Sequence, residues 1–597
     1  GQIAGNAIGD TTGTGSLQVA SGSNATSYGI YVATTDSVTL SNNRIGSITL
    51  TTTNQGHSFT AVHKATVAGY TQITNNTIGS LGTTGSIRTT NTNGGIQQNL
   101  IGIALNGTGN ALVSGNTVSE LLNTAAQNAS YVHGISIQGT GTNIVQRNYV
   151  YNLALATTNT TNVLAGLYTV SGNNSLINNI VVLGSNVPAG LYFINGIRSE
   201  GSATDAVYHN TVILRGSITG STSTYTSAYL KFGSATVTVR NNLFYNARSG
   251  GSGSGRHSAI GTNNTTGLTS NNNLLYAPNT NGVVGAQITS AWSATAYTSI
   301  ANWRTYSSQD INSLNTNPSL YNINGSVAAD FATGVPLGGA DLRALVPTDY
   351  VSVVRSANPT MGAWEYFAPV DVYSGTTLLG SYTTLKLAFD AINSGARTGN
   401  LRIHINRNTT ETASAVLNAS GSGSANYSKV LIYPAFQGIT VSGSLAAPLV
   451  SLNGADNVTI DGRVNGVGST PSLTLINTGT GSAAVTLLLN NGATQDSIRY
   501  CYIKGGGGSA TNGTLQYGAT GTNTGNVVAY CHITNNGSRR VNAVYAVGGT
   551  NTANTLQYNR IFDTWSLAAT SYGINLGTGT SGWSLTGNSL YETTDFQ

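Results

Sequence analysis

The chain predicts an all-β solenoid, a coil of short strands repeated along one axis, and three observations carry that prediction. Asparagine recurs in the pattern apolar-x-x-Asn-x-apolar at Asn43, Asn76, Asn116, Asn148, Asn179, Asn210, Asn242 and Asn273, in steps of 33, 40, 32, 31, 31, 32 and 31 residues. A period near 31 with a strand-like apolar pair at each recurrence is one structural unit stacked on its neighbours. A second strand keeps the same beat through Ile30, Val62, Ile103, Ile135, Leu167 and Ile197, in steps of 32, 41, 32, 32 and 30. Both series take their long step between the same two rungs, so they belong to one coil with one insertion. Composition agrees: 39% of the 597 residues are hydrophobic, 75 are Gly and only 7% are charged, unlike a helical solenoid rich in Leu, Glu, Lys and Ala.

Each asparagine marks a corner. In Ile73-Thr-Asn-Asn76-Thr-Ile78 the two apolar residues are five apart, and alternation along a straight strand would face them oppositely. A bend at or near the Asn reconciles them, and Asn tolerates left-handed backbone. Stacked amides can also bond from rung to rung. The expected ladder therefore runs through the eight asparagines above, with Asn6 before them.

The beat ends after Tyr276. From Ala277 to about Phe367 the period is lost, and Trp292, Trp303 and Trp364 gather with most of the prolines. Next comes the one good helix signal, over 383–393: Thr383 or Thr384 as N-cap, Leu385, Ala388, Phe389 and Ile392 on one face, and Gly395 as stop. The pattern resumes from Leu401, with Cys501, Cys531, Asn559 and Asn588 at the corner position in steps of 30, 28 and 29. The predicted organisation is a parallel solenoid over 1–276, a closing cap over 277–367, an opening cap over 368–400 and a second solenoid over 401–597. The pattern is already running at Asn6 and still running at Asn588, so the chain reads as a window on a longer molecule or as one repeat of a polymer.

Three segments carry a resemblance: Ser381–Asn393, Asn408–Ser414 and Leu452–Gly462. They resemble the opening of right-handed parallel β-helix modules in large surface proteins exported by the type 9 secretion system of Bacteroidota. Ile300–Trp303, Asp310–Leu314, Asn317-Pro318 and Met361–Tyr366 are similar to the closing segment of the same modules. The resemblance implies a right-handed parallel β-helix of about 31 residues per coil with one short capping helix. It also implies an extracellular, cell-surface or filamentous adhesin-like protein.

Catalytic chemistry has little to stand on. The 19 acidic residues are dispersed, whereas glycoside hydrolysis needs a carboxyl pair and lyases need a base with a charge stabiliser. Glu200, Lys231, His209 and Arg240 lie in the densest polar region, and a 31-residue offset sets Glu200 over Lys231. An ion pair between rungs is the plainer reading of that pair, a catalytic or sugar-binding cleft the sharper one. His133 reads as a packed residue rather than a metal ligand, and Asp456 and Asp461 as turn residues rather than a calcium site. Gly338–Asp341 is too short for a calcium repeat. Cys501 and Cys531 should stack within disulfide reach, yet parallel Cβ vectors favour two buried thiols. Asp36-Ser37-Val38 and Asp496-Ser497-Ile498 match an O-glycosylation pattern of Bacteroidota.

The net charge of +5 is thinly spread, so nucleic acid is not an expected partner, and no apolar run is long enough to span a membrane. The reading is a non-enzymatic structural module, a rigid shaft or filament subunit of a surface adhesin. It needs no cofactor or metal, and the partners expected are further copies end to end and surface glycans. The alternatives are a carbohydrate-binding adhesin and a polysaccharide lyase or hydrolase on the same fold.

Overall fold

The computed structural model describes the chain apart from residues 11, 23, 53–55, 92–96, 125–129, 156–161, 185–191, 219–224, 252–255, 291–292, 506–509, 538–540, 566–569 and 594–597. Trp292 therefore lies outside the described residues. The chain divides into two compact units, Gly1–Tyr366 and Phe367–Gln597. Both are parallel β-solenoids, of nine rungs in the first and seven in the second, about 16 turns in all.

In the first unit each strand lies in parallel register on the strand one coil later. Leu40 pairs with Ile73, and the column continues through Val113, Val145, Leu176, Val207 and Val239. These side chains are fully buried because one face of every strand lines the bore. The sheet-forming β-branched residues stack on their equivalents, so rung and core repeat together. Most of the extra residues of the long coil form the corner 79–86. In the second unit the column Ile432, Ile460, Ile498, Val528, Leu556, Leu585 advances by 28, 38, 30, 28 and 29 residues. The 38-residue step is due largely to an excursion at 462–472.

Two expectations need correction. The described residues contain two α-helices rather than one. Helix α2, Leu385–Asn393, is capped by the Thr384 hydroxyl accepting from Leu387 N–H, and buries Leu385, Ala388, Phe389 and Ile392. Its first two amides donate to the buried Glu411 carboxylate at 3.0 and 2.9 Å, which opposes the helix dipole. Helix α1, Ile300–Ser307, buries only Trp303 and Ser307. It has no apolar stripe for periodicity to reveal.

The second correction concerns 277–367. The solenoid continues past Tyr276, since Gly282–Ser290 adds a ninth strand to one sheet and Ser293–Tyr297 turns back antiparallel as its tenth. Trp303 then enters the core of the bore. Gly285 makes room for it, because a Cβ there would sit 2.1 Å from the indole. Residues 314–366 do something else: they run back as a strap along one outer face. Phe331, Ala363 and Trp364 cover Tyr149, Tyr151, Ile180, Val182 and Ile213, while Leu337 and Met361 cover Leu243 and Leu274. Strands such as Ile180–Leu183 are apolar on both faces for this reason.

Candidate functional site

The buried asparagine ladder is the most extensive side-chain arrangement in the first unit. The Oδ1 of each residue from Asn43 to Asn273 accepts from the backbone N–H of the preceding rung's Asn at 2.8–3.1 Å. It also accepts from that residue's Nδ2 at 2.9–3.0 Å. The other Nδ2 proton goes to a carbonyl of the previous coil, such as Val145 for Asn179 at 2.8 Å. A buried amide must place two donors and an acceptor, and this geometry satisfies all of them identically on every rung.

At Asn273 the repeating partner runs out. Its N–H donates to Ser313 Oγ, and Asp310 collects Ser270, Ser313 and Trp303 Nε1 at 2.8, 2.6 and 2.8 Å. The carboxylate thus ends the ladder and anchors the tryptophan in the bore.

The left-handed corner is not the ladder asparagine. Positive φ belongs to the residue before it: Asn42, Asn75, Gly115, Arg147, Asn178, His209, Asn241 and Asn272 in the first unit. That turn aims the ladder side chain inward and its predecessor outward. Several predecessors hold the strap. Arg147 and Asn178 donate to Asp349 and Thr348 carbonyls, Asn241 pairs both ways with Ala340, and buried Arg355 reaches Asn178 and Glu365.

The polar residues singled out in the sequence do not converge. Ser199, not Glu200, lies in register with Lys231. Glu200 binds Arg198 at 2.7 Å and Tyr168 at 3.1 Å, on the face opposite Lys231, whose buried ammonium bonds Gly233 and Asn264. His209 is buried at a left-handed corner, its Nδ1 3.1 Å from the Thr360 carbonyl and its Nε2 3.0 Å from Asn241. Burial and Arg355 hold it well below the usual histidine range. Arg240 registers with Tyr208 and Asn271 on a different strand. His133 is buried between Tyr131 and Tyr168, and burial, with Arg198, pushes it down to about 3.

Further polar columns escaped the sequence reading: Asn143, Asn174 and Asp205 in the first unit, and Asp496, Asn526 and Asn554 in the second. A search for Asn or Asp at a one-coil offset would have found them. Asp496 is buried, and burial pushes its carboxyl up to about 8. The adjoining Ser497 is half-buried in a strand, a poor place for a glycan, whereas Ser37 is exposed.

In the second unit Cys501 and Cys531 are free, buried and stacked in the ladder slot. Cys531 Sγ lies 3.6 Å from the Ile498 carbonyl and 3.4 Å from that of Ala529. Cys501 lies correspondingly on Ile460 and Arg499. The thiols address the carbonyls that Asn Nδ2 takes elsewhere, but offer no acceptor like Oδ1. The ladder resumes at Asn559, which accepts from Cys531 N–H and donates to Asn588.

The left-handed residues before them are Tyr500, Tyr530 and Tyr558, with φ of 54°, 56° and 54°. Their rings stack at 4.9 and 5.2 Å, tilted by 6° and 15°. Tyr530 and Tyr558 are 40% and 49% exposed. Arg463 lies 4.5 Å over Tyr500 and shares Asp461 with Arg499, at 2.7 and 2.9 Å. Burial alone would raise the Asp461 carboxyl, but the bonds from Arg463 and the charge of Arg499 hold it below the usual range. The two arginines neutralise Asp461, which is buried at the turn.

No family model matches the chain, and no curated protein matches it. Among solved structures it is similar to a PL6 family alginate lyase, AlyGC in mutant form. That alignment has 10% identity over 97% of this chain and 95% of the other, with a TM-score of 0.15. A score that low carries no argument about mechanism.

Proposed function

We propose that the chain is a non-enzymatic structural module, a rigid shaft or filament segment of an extracellular surface protein. The observation that carries this reading is the ladder from Asn6 to Asn273, in which every rung repeats the same buried bonds and the last is closed by Asp310 and Ser313. Side-chain chemistry is spent on continuity along the axis. The buried carboxylates serve the same end: Glu411 caps a helix, Asp205 ends a polar column, and Glu365 holds the strap through Arg355.

The surface location, the resemblance to type 9-exported modules of Bacteroidota, and end-to-end contact with further copies belong to this proposal. No helix among the described residues is long and apolar enough to cross a membrane. A carbohydrate-binding role is favoured by the exposed tyrosine column and is developed below.

The test pairs limited proteolysis and thermal unfolding with turnover assays on uronic-acid and neutral polysaccharides. Slow cleavage confined to a few loops with no turnover is expected. Depolymerisation that disappears in the Glu200→Gln or Arg240→Gln variant would replace the shaft with an enzyme.

A further inference from the structure

Several outward residues at the left-handed corners of the first unit hold a chain segment, whereas the corresponding residues of three rungs in the second unit point toward solvent. In the first unit the column Arg147, Asn178, His209, Asn241 offers a guanidinium, amides and an imidazole to the backbone of the strap. In the second unit the same position carries Tyr500, Tyr530 and Tyr558. Asn and Gly adopt positive φ readily, whereas a bulky aromatic there is a strained outlier of the kind that clusters at functional sites. Three consecutive rungs repeat the outlier.

The column has definite ends. On one side the excursion 462–472 brings Arg463 over Tyr500. On the other, the next rung has Gly587, where a Cβ would lie 2.5 Å from the Tyr558 ring, so that ring rests on bare backbone. Aromatic faces in contact are about 3.5–4 Å apart, so centroids 4.9 and 5.2 Å apart imply a lateral offset of roughly 3 Å. Each ring therefore leaves part of its face open.

Two residues beyond each tyrosine, across the buried ladder residue, Tyr502, His532 and Arg560 form a parallel column in register. Lys504 lies 5.5 Å over Tyr502, and Arg560 is exposed. Burial and Arg560 lower the His532 pKa. On the same side Arg463 and Arg499 outnumber Asp461. Asp563 and Glu592, farther along these rungs, are engaged by Thr593 and by the Thr564 and Trp565 amides.

We propose that Tyr500, Tyr530 and Tyr558, with Arg463, Arg499, Lys504 and Arg560, form a binding surface for an acidic polysaccharide lying along the solenoid axis. The open, offset parts of the ring faces take the apolar CH faces of sugar rings, and the guanidinium groups pair with uronate carboxylates. Rung spacing of about 4.8 Å is close to the length of one sugar unit, so the surface spans about three units. A peptide strap fits less well, because this column lacks the amide side chains that hold the strap in the first unit.

The proposal goes beyond the shaft reading, and the two fail separately: proteolysis and unfolding report the shaft, binding reports this surface. The decisive variant is Tyr530→Asn with Tyr558→Asn, which installs the residue the first unit uses at this corner and so preserves the fold. Retardation of the intact chain in gels containing polygalacturonate is expected, with affinity at least tenfold lower in the double variant and several-fold lower in Arg499→Gln. Circular dichroism should be unchanged in both. Neutral dextran should not retard the chain. The proposal is overturned by equal retardation of wild type and double variant, by preference for dextran or single-stranded DNA, or by tighter binding of a peptide spanning residues 336–366. Self-association that the double substitution abolishes, without glycan binding, would overturn it too.

Discussion

The two solenoid units solve the same corner with different residues, and the difference separates what a rung needs from what it can spare. In the first unit the inward position is Asn on every rung and the outward position is mostly Asn or Gly, so both the buried bonds and the left-handed backbone are met at least cost. In the second unit two rungs replace the amide with a thiol, and three replace the outward Asn with Tyr. The inward change gives up an acceptor, and the outward change accepts backbone strain. The second unit is thus less optimised as a stack and more differentiated on its surface.

The largest test of this contrast is Asn179→Ala. It leaves Asn148 N–H and Nδ2, and the Val145 carbonyl, without their buried partners, and should destabilise the surrounding rungs by about 4 kcal/mol. Hydrogen exchange followed by mass spectrometry localises the loss; uniform exchange in the variant and wild type would mean the ladder bonds contribute little.

Acidification should weaken the first unit more than the second, where His404 and His532 are the histidines held low. His133, His209 and His257 in the first unit are held below the usual value, chiefly by burial, with His133 about 3 and His257 about 4. A lowered folded pKa means that the unfolded chain takes up protons first. The stability these residues contribute is complete above pH 6.5 and is lost as pH falls from there toward their folded values. Between pH 7 and 5 each of these histidines should cost the first unit about 2 kcal/mol, read from the exchange of its strands.

Asp496 has the opposite sign. Burial raises its folded value to about 8, so its contribution is complete below the ordinary 3.8 and is lost as pH rises through 8. Asp496→Asn, which extends the column of Asn526 and Asn554, should stabilise the second unit by about 2 kcal/mol at pH 8. The gain should vanish near pH 4. A gain independent of pH would point to packing rather than protonation.

The smallest effect is restorative. Cys531→Asn supplies the Oδ1 that Cys501 N–H lacks and should raise the stability of those rungs by about 1 kcal/mol, visible as slower exchange in Cys501–Gly505. A loss would mean that the slot is shaped for sulfur.

Much of this was legible in the sequence because burial repeats with the coil. Apolar pairs and Asn at fixed steps state which residues face the bore, and the 383–393 helix announces itself by its stripe. Helix α1 was not legible, since Trp303 alone carries its burial. Nor was the strap, whose apolar residues have no period and find their partners on strands far back in the sequence. The Asn–Asn–Asp columns were legible in principle, by the same offset, but lack a flanking apolar pair to draw attention to them.

By itself the sequence determined the repeat, the parallel stack and the members of the ladder, because identical residues at a constant step have one way to bury alike. Only the tertiary structure decided the rest. Register differs by one residue between an offset of 31 and the observed pairing of Ser199 with Lys231, and one residue turns a side chain to the other face. That single step separates Glu200 from Lys231. The assignment of positive φ to the residue before each Asn likewise depends on local closure of the coil. It sends Tyr500, Tyr530 and Tyr558 outward, to where a ligand can reach them.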